Sequence, residues 1–295
     1  MLNSPILYKA AMIRRIRTFL DSQEVIEIMT PVMRRYSGDD SRPRLSLHNG
    51  GWLRESSAFA LRYNLQFYDR IYEIGPSFRP DTVDDTHLPE FTMLDLYKKD
   101  STLDEMLQLA QSIIEIFYQG KISVLSFADH LKQRFSVDFF EDFSAPEIFI
   151  DCLREMYCDK TTPPLNLIDR YIIENIEPLS QQCCIIVTDF PLLTEIRAKK
   201  RTGTKGIVER FEILIDGIEI VHGYTDEDDV ERFETQARKR NMFGSEDEVM
   251  CTMMRNKLVS PSSAGFAIGI ERLCQVALGE KQISAFATSR PFSPF

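Results

Sequence analysis

The chain reads as an α+β fold in which antiparallel strand pairs carry the core and helices flank them, and three patterns lead to that class. Residues 72–79 and 91–97 are rich in aromatic and branched side chains and flank the turn-forming run Pro80 to Pro89, which predicts an antiparallel hairpin. Residues 208–226, VERFEILIDGIEIVHGYTD, set Asp216-Gly217 between two alternating apolar runs. A two-residue type I′ turn needs positive φ at both central positions, and Asp-Gly supplies it, so a second hairpin is expected. In SSAGFAIGIERLCQVALG, Ser262 to Gly279, a buried strand up to Ile270 gives way to helical spacing, with Leu273, Val276 and Ala277 on the helical face and Gly279 as C-cap.

The remaining elements follow in chain order. Ser4-Pro5 opens a helix carrying Met12, Ile16, Phe19 and Leu20 at helical spacing, and Val25 to Ile28 then reads as a strand stopped at Pro31. The polar run Ser37 to Gly51, with Gly38, Pro43 and Gly50-Gly51, reads as a loop able to close over a substrate. Thr102 and Glu105 have capping-box spacing and open a helix through Phe117. Residues 135–179, with helix-like runs such as LIDRYIIENI, read as part of a mostly helical insertion at about 125–180, ahead of the strand Cys184 to Val187. With no repeat, low-complexity tail or clear linker, residues 1–295 are expected to form one domain.

Composition narrows the class of function. At 295 residues, 43% hydrophobic and 27% charged, the chain has the balance of a soluble enzyme with a sizeable core. No apolar run approaches the roughly 20 residues that span a bilayer, and the first residues lack the apolar core and cleavage site of a signal peptide, so a cytoplasmic location is expected. The six cysteines, including the adjacent Cys183 and Cys184, show no zinc-site spacing and read as reduced and structural. A net charge of −10 argues against wide contact with an RNA backbone. The one basic run, RAKKRTGTK from Arg197 to Lys205, is short for that task and fits a solvated loop, a partner contact or a source of cations for phosphates.

Three places carry the chemistry. Arg79 leaves the first strand of its hairpin and Phe91 enters the second, so a base can stack on the ring while a phosphate meets the guanidinium fork. Glu219 and Asp226, with His222 and Tyr224 between them, offer hard oxygen ligands of the kind that hold Mg²⁺ beside phosphates. Arg272, at a strand-to-helix junction, can lie flat over a base opposite Phe91. Taken singly, each also fits an ordinary amphipathic hairpin, an exposed acidic strand end or a surface arginine.

Taken together with FLDSQEVIEIMTPVM, Phe19 to Met33, these segments resemble motifs 1, 2 and 3 of class II aminoacyl-tRNA synthetases. HLPEFTMLDLY and VERFEILIDGIEIVHGYTD are most similar to the lysyl branch, and within it to short paralogues of a catalytic domain alone that modify elongation factor P. The resemblance runs from about Leu7 to Arg290. It implies a class II synthetase-like catalytic domain with an antiparallel six- to seven-stranded sheet flanked by helices, a homodimer through the first helix and strand, and no anticodon-binding domain. It assigns Arg79 to the α-phosphate and substrate carboxylate, Phe91 and Arg272 to the adenine faces, Asp81 to the adenine amino group and His87 to the motif 2 loop. Glu219 and Asp226 match the metal-binding acids, and Asp95 and Tyr97 fall on the substrate side.

The departures from that pattern are equally specific. The loop after Arg79 carries Asp84 and Asp85 where a basic residue usually reaches the γ-phosphate. In LRESSAFALR, Ala58 stands where a glutamate holds the substrate α-amino group, leaving Glu55 and Ser56 as nearby polar groups. His222 replaces an asparagine that contacts the substrate carboxylate, Asp95 replaces a glutamate, and Glu24 replaces the usual motif 1 glycine. The resemblance therefore implies ATP- and Mg²⁺-dependent activation of an amino acid, lysine-like or non-standard, or a related carboxylic acid. The acyl-adenylate would pass to a protein lysine such as that of elongation factor P, to a carrier protein or to a small amine rather than to tRNA. A catalytically silent paralogue acting as a binding or regulatory subunit is the alternative.

Overall fold

The computed structural model describes residues 4–37, 44–48 and 50–287, so Gly38 and Pro43 of the expected covering loop lie outside the described residues. In chain order the elements are α1 (Pro5–Ser22), β1 (Ile26–Glu27), β2 (Met33–Arg34), β3 (Trp52–Leu53), α2 (Ala58–Asn64), β4 (Arg70–Phe78), β5 (Glu90–Lys99) and α3 (Leu103–Glu115). There follow β6 (Ile122–Ser126), α4 (Phe127–Phe135), α5 (Ala145–Tyr157), α6 (Pro164–Tyr171), β7 (Cys184–Thr188), β8 (Arg210–Ile215) and β9 (Ile218–Thr225). After these come α7 (Val230–Lys239), α8 (Ser245–Arg255), β10 (Ser263–Gly269) and α9 (Ile270–Leu278), with a short 3-10 turn at Ile283–Phe286. This is the expected α+β content. No helix among the described residues is long and apolar enough to cross a membrane.

The chain divides into two compact units, one formed by Met1–Tyr118 with Asp228–Phe295, the other by Gln119–Glu227. In the first, the strand order is β1-β4-β5-β10, with β4-β5 and β5-β10 antiparallel and β1-β4 parallel. In the second it is β9-β8-β7-β6, with β6-β7 parallel and the other pairs antiparallel. The sheets thus depart from the expected all-antiparallel set of six to seven strands. The first unit also holds the separate antiparallel pair β2-β3, and in each unit the four-stranded run has one parallel pair at its edge. The reason is connection length: parallel neighbours need a long crossover, which α4 to α6 supply between β6 and β7.

Local chemistry accounts for the element ends. Pro5 sits in the first turn of α1, and the helix buries Met12, Ile16 and Leu20, leaving Phe19 half-buried. The capping box of α3 is present, with the Glu105 amide donating to Thr102 Oγ1 and the Thr102 amide donating to Glu105. Asp216 (φ 52°) and Gly217 (φ 80°) both take the positive φ that the β8-β9 turn requires. On α9 the buried side is Ile270, Leu273 and Cys274, while Val276 and Ala277 are half-buried. The face is rotated from the expected one because Glu271 turns inward: its carboxylate accepts from the Thr92 amide (2.9 and 3.1 Å) and from Lys9 (2.5 Å).

Each unit has its own core. In the second, Phe127, Leu131, Phe149, Leu153, Leu167 and Tyr171 from the helices pack on Ile185, Val187, Ile207 and Leu214. In the first, a polar network lies beneath β4. Arg54 pairs with Glu73 (2.7 Å) and donates to Thr30 Oγ1 (2.8 Å) and the Pro76 carbonyl (2.9 Å), and Glu73 accepts from the Thr30 amide and hydroxyl. All three side chains are buried, so the satisfied network replaces the water each would lose.

Candidate active site

The expected site residues divide between the units. Arg79, Asp81, His87, Phe91, Arg272, Glu55, Ser56, Ala58, Asp95 and Tyr97 belong to the first, and Glu219, His222 and Asp226 to the second.

In the first unit, the β4-β5 ladder pairs Ser77 with Phe91, and the Arg79 amide donates to the Pro89 carbonyl (2.9 Å), carrying the hairpin past the strand ends. The Arg79 guanidinium carbon lies 5.2 Å from the Phe91 ring centroid, a cation–π contact. The acidic turn that follows is folded on itself and onto α9. His87 Nδ1 is 2.9 Å from both Asp84 oxygens, and His87 Nε2 is 2.8 Å from an Arg272 Nη. The tautomer with its proton on Nδ1 satisfies both contacts, donating to Asp84 and accepting from Arg272. Burial, the largest single contribution, raises the Asp84 carboxyl, but the Thr86 amide and the His87 ring together outweigh it and hold the carboxyl below its ordinary value. Arg272 Nε donates to the Thr86 carbonyl (3.2 Å), and the Asp85 carbonyl accepts from Gln275 (3.0 Å) and the Ile283 amide (2.9 Å). Since guanidinium donors lie in its plane, these bonds hold Arg272 by its edge, which is compatible with a base against its face. Asp81 is exposed on the same turn.

The substrate-side residues have contrasting surroundings. Asp95 is buried, and one of its oxygens accepts from the Ser57 amide (2.8 Å) and hydroxyl (2.6 Å), with Ser56 Oγ at 3.5 Å. Burial pushes its pKa up, and the Ser57 bonds with the Arg54 and Arg79 charges pull the other way without prevailing. Glu55, expected near a substrate amine, is ion-paired with the buried Arg44, which also pairs with Glu246 and donates to the Tyr36 carbonyl (2.8 Å). Ala58 opens α2, its amide donating to Ser56 Oγ (3.0 Å), and it packs with Tyr97 against Leu61, Leu65 and Ile71. Tyr97 is therefore a core residue of this unit as well as a neighbour of Asp95 along β5.

In the second unit, β8 and β9 gather Glu212, Glu219 and His222, each offering a ligand atom within 4.8 Å of the others. The arrangement depends on an irregularity in the ladder: Ile213 faces Val221 while Leu214 faces Glu219, so Ile220 is an extra residue. Residues three apart on a regular strand point to opposite faces, and the inserted residue returns Glu219 and His222 to the same one. Glu212 stands directly across from His222. Burial pushes the Glu212 carboxyl up to about 7, against the pull of the contacting Arg210, with Glu219 adding repulsion. Asp226 lies outside this group, past the end of β9, where its backbone bridges Ala198. The donor set suits a divalent cation, with two carboxylates and one imidazole converging.

Several of these residues carry no signal in the spacing. Ser57 and Arg44 act through tertiary contacts, and plain two-residue-turn register would set Glu212 opposite Val221 rather than His222. A family model described as tRNA synthetases class II (D, K and N) matches residues 1–288. Lysine–tRNA ligase 2 of Methanosarcina acetivorans is 26% identical over 308 residues, covering 93% of this chain and 60% of that protein. The same-named protein of Methanosarcina mazei is 28% identical over 313 residues, with 93% and 60% covered. Lysine–tRNA ligase of Clostridium kluyveri is 27% identical over 327 residues, with 97% and 64% covered. The chain spans less than two thirds of the length of these relatives. Because the family match runs through the Arg79–Phe91 hairpin, the acidic β9 and the Arg272 segment alike, the chain belongs to the class II tRNA synthetases of the D, K and N group.

Proposed function

We propose that this chain activates an amino acid, lysine-like or non-standard, or a related carboxylic acid as its acyl-adenylate, and passes the acyl group to an acceptor other than tRNA. The observation that carries the reading is the Arg79 guanidinium over Phe91 at the end of the β4-β5 hairpin, with Arg272 anchored to the turn of the same hairpin. The substrate carboxylate attacks the α-phosphorus of ATP and pyrophosphate leaves, so no protein nucleophile is needed. Arg79 neutralises charge at the α-phosphate, Phe91 and Arg272 take the adenine faces, and Asp95 receives the substrate side chain. Glu219, with Glu212, would hold Mg²⁺, whose charge would offset that of the phosphates.

The acceptor is a protein lysine of the elongation factor P kind, a carrier protein or a small amine. The chain's net charge of −10 supports this, as does the engagement of its basic run. Arg197 is buried near Glu195, Arg201 pairs with Asp189, and Lys200 and Lys205 lie over Phe143. Six free cysteines support action in the reducing cytoplasm, and exposed Ile26, Met29 and Met33 support a homodimer through the motif 1 segment. One observation favours a silent, ligand-binding subunit: Glu55 is held by Arg44, and Ala58 offers no acid to a substrate amine. Pyrophosphate exchange across a panel of amino acids, β- and non-protein ones included, tests the two. Exchange with at least one acid, lost about 100-fold or more in Arg79→Ala and in Arg272→Ala with unchanged thermal melts, is the expected result. Full activity in either variant would sink the assignment, and ATP binding with no exchange would favour the silent subunit.

A further inference from the structure

The Glu212–Glu219–His222 group departs from an all-oxygen magnesium site in one residue. We propose that His222 is a nitrogen ligand to the bound cation, and that this set takes a first-row transition dication of the manganese or zinc class more tightly than Mg²⁺. The adenylation reading supplies only the ion's task, and the ligand assignment stands on geometry.

His222 Nδ1 lies 3.8 Å from a Glu212 oxygen and 4.0 Å from a Glu219 oxygen. Both separations are too long for hydrogen bonds. They match the span between two ligands of one ion, since bonds of about 2.0 to 2.3 Å set neighbouring ligand atoms roughly 3 to 4.5 Å apart. The second nitrogen supplies an independent observation. Nε2 faces a Glu195 oxygen at 3.9 Å, on the far side of the ring, and Glu195 is itself buried. At 3.9 Å this pair is also beyond hydrogen-bond range, so Glu195 acts on the ring through its charge, which favours an imidazole bound to a cation. The Tyr224 ring packs edge-on against the imidazole, with centroids 5.7 Å apart, and Arg210 holds the Glu212 carboxylate. The donors are therefore oriented by neighbours in the same unit.

Chemistry then sets the preference. Magnesium favours oxygen and water, whereas an imidazole nitrogen adds affinity for manganese, iron, cobalt and zinc. The competing explanation is an imidazolium that balances the three carboxylates with no ion present.

The test uses the full chain with metal alone and no nucleotide. Mn²⁺ and Mg²⁺ are titrated calorimetrically, and the Mn²⁺ complex is examined by electron spin echo spectroscopy for nitrogen coupling, with ¹⁵N-histidine labelling to assign it. The expected result is histidine-nitrogen coupling, a Mn²⁺-over-Mg²⁺ preference that falls by about tenfold in His222→Asn, and about tenfold weaker Mn²⁺ binding in Glu195→Gln. Should His222→Asn fail to fold, coupling in the labelled parent protein decides the question. Mn²⁺ bound without nitrogen coupling, an unchanged preference in folded His222→Asn, or no Mn²⁺ binding would each overturn the proposal. Nitrogen coupling in a protein that exchanges no pyrophosphate would keep the ligand assignment while removing the adenylation reading.

Discussion

Arg54 is nearly sealed from solvent and ion-paired with Glu73. Its position is possible because Gly75 has no side chain: a Cβ there would sit 2.5 Å from an Arg54 Nη. Replacing the guanidinium by an apolar side chain leaves Glu73 buried with its cation gone, which costs more than the ion pair itself contributes. Arg54→Met is therefore expected to destabilise the protein by about 3 to 5 kcal/mol, read as a lower urea midpoint. A midpoint within experimental error of the parent would refute the account. Residues of this kind are hard to find in a sequence. Arg79 and Phe91 are visible there because turn residues and alternation bracket them, whereas Arg54 sits in LRESS with no periodicity to show that it faces inward. Glu212 is hidden for a different reason, since only the extra residue at Ile220 turns His222 toward it.

The end of α1 shows an element resisting its own sequence. The Glu24 amide donates to the Asp21 carbonyl and the Val25 amide to the Leu20 carbonyl, each at 3.0 Å, closing the helix through a left-handed residue. That residue is Glu24, with φ 54°, where a side chain is strained by roughly 1 to 2 kcal/mol. Its exposed ion pair with Arg70 offsets little of this. Glu24→Gly is expected to raise stability by about 1 kcal/mol, seen as a higher urea midpoint at unchanged slope, and a lower midpoint would contradict the strain argument. The motif 1 pattern marks this position as one for glycine, and the backbone supplies the reason. The paired elements were legible at this scale: the Asp216-Gly217 turn and the Thr102–Glu105 cap stand where their local chemistry predicts. The inward turn of Glu271, which rotates the buried face of α9, depends on Lys9 and Thr92 and leaves no local trace.

At the scale of the molecule, Ile26, Met29 and Met33 are 50%, 92% and 58% exposed, an apolar run with no cover among the described residues. If a second copy covers it, as proposed, Met29→Glu should shift the sedimentation coefficient from dimer to monomer while leaving the melting profile of the isolated chain intact; a parent protein that sediments as a monomer would remove the dimer. The division into two units is not legible in the sequence, because no shift in composition or linker marks residues 118 or 227. It has a consequence for synthesis. Gln119–Glu227 is continuous and can fold as it emerges, but the flanking unit receives β10, the partner of β5, only after that segment has been made. Until then one edge of β5 presents open backbone groups beside Met93, Leu94 and Leu96, a template for pairing with another nascent chain. The vulnerable interval in this protein's life is thus set by its chain order rather than by the strength of its finished core.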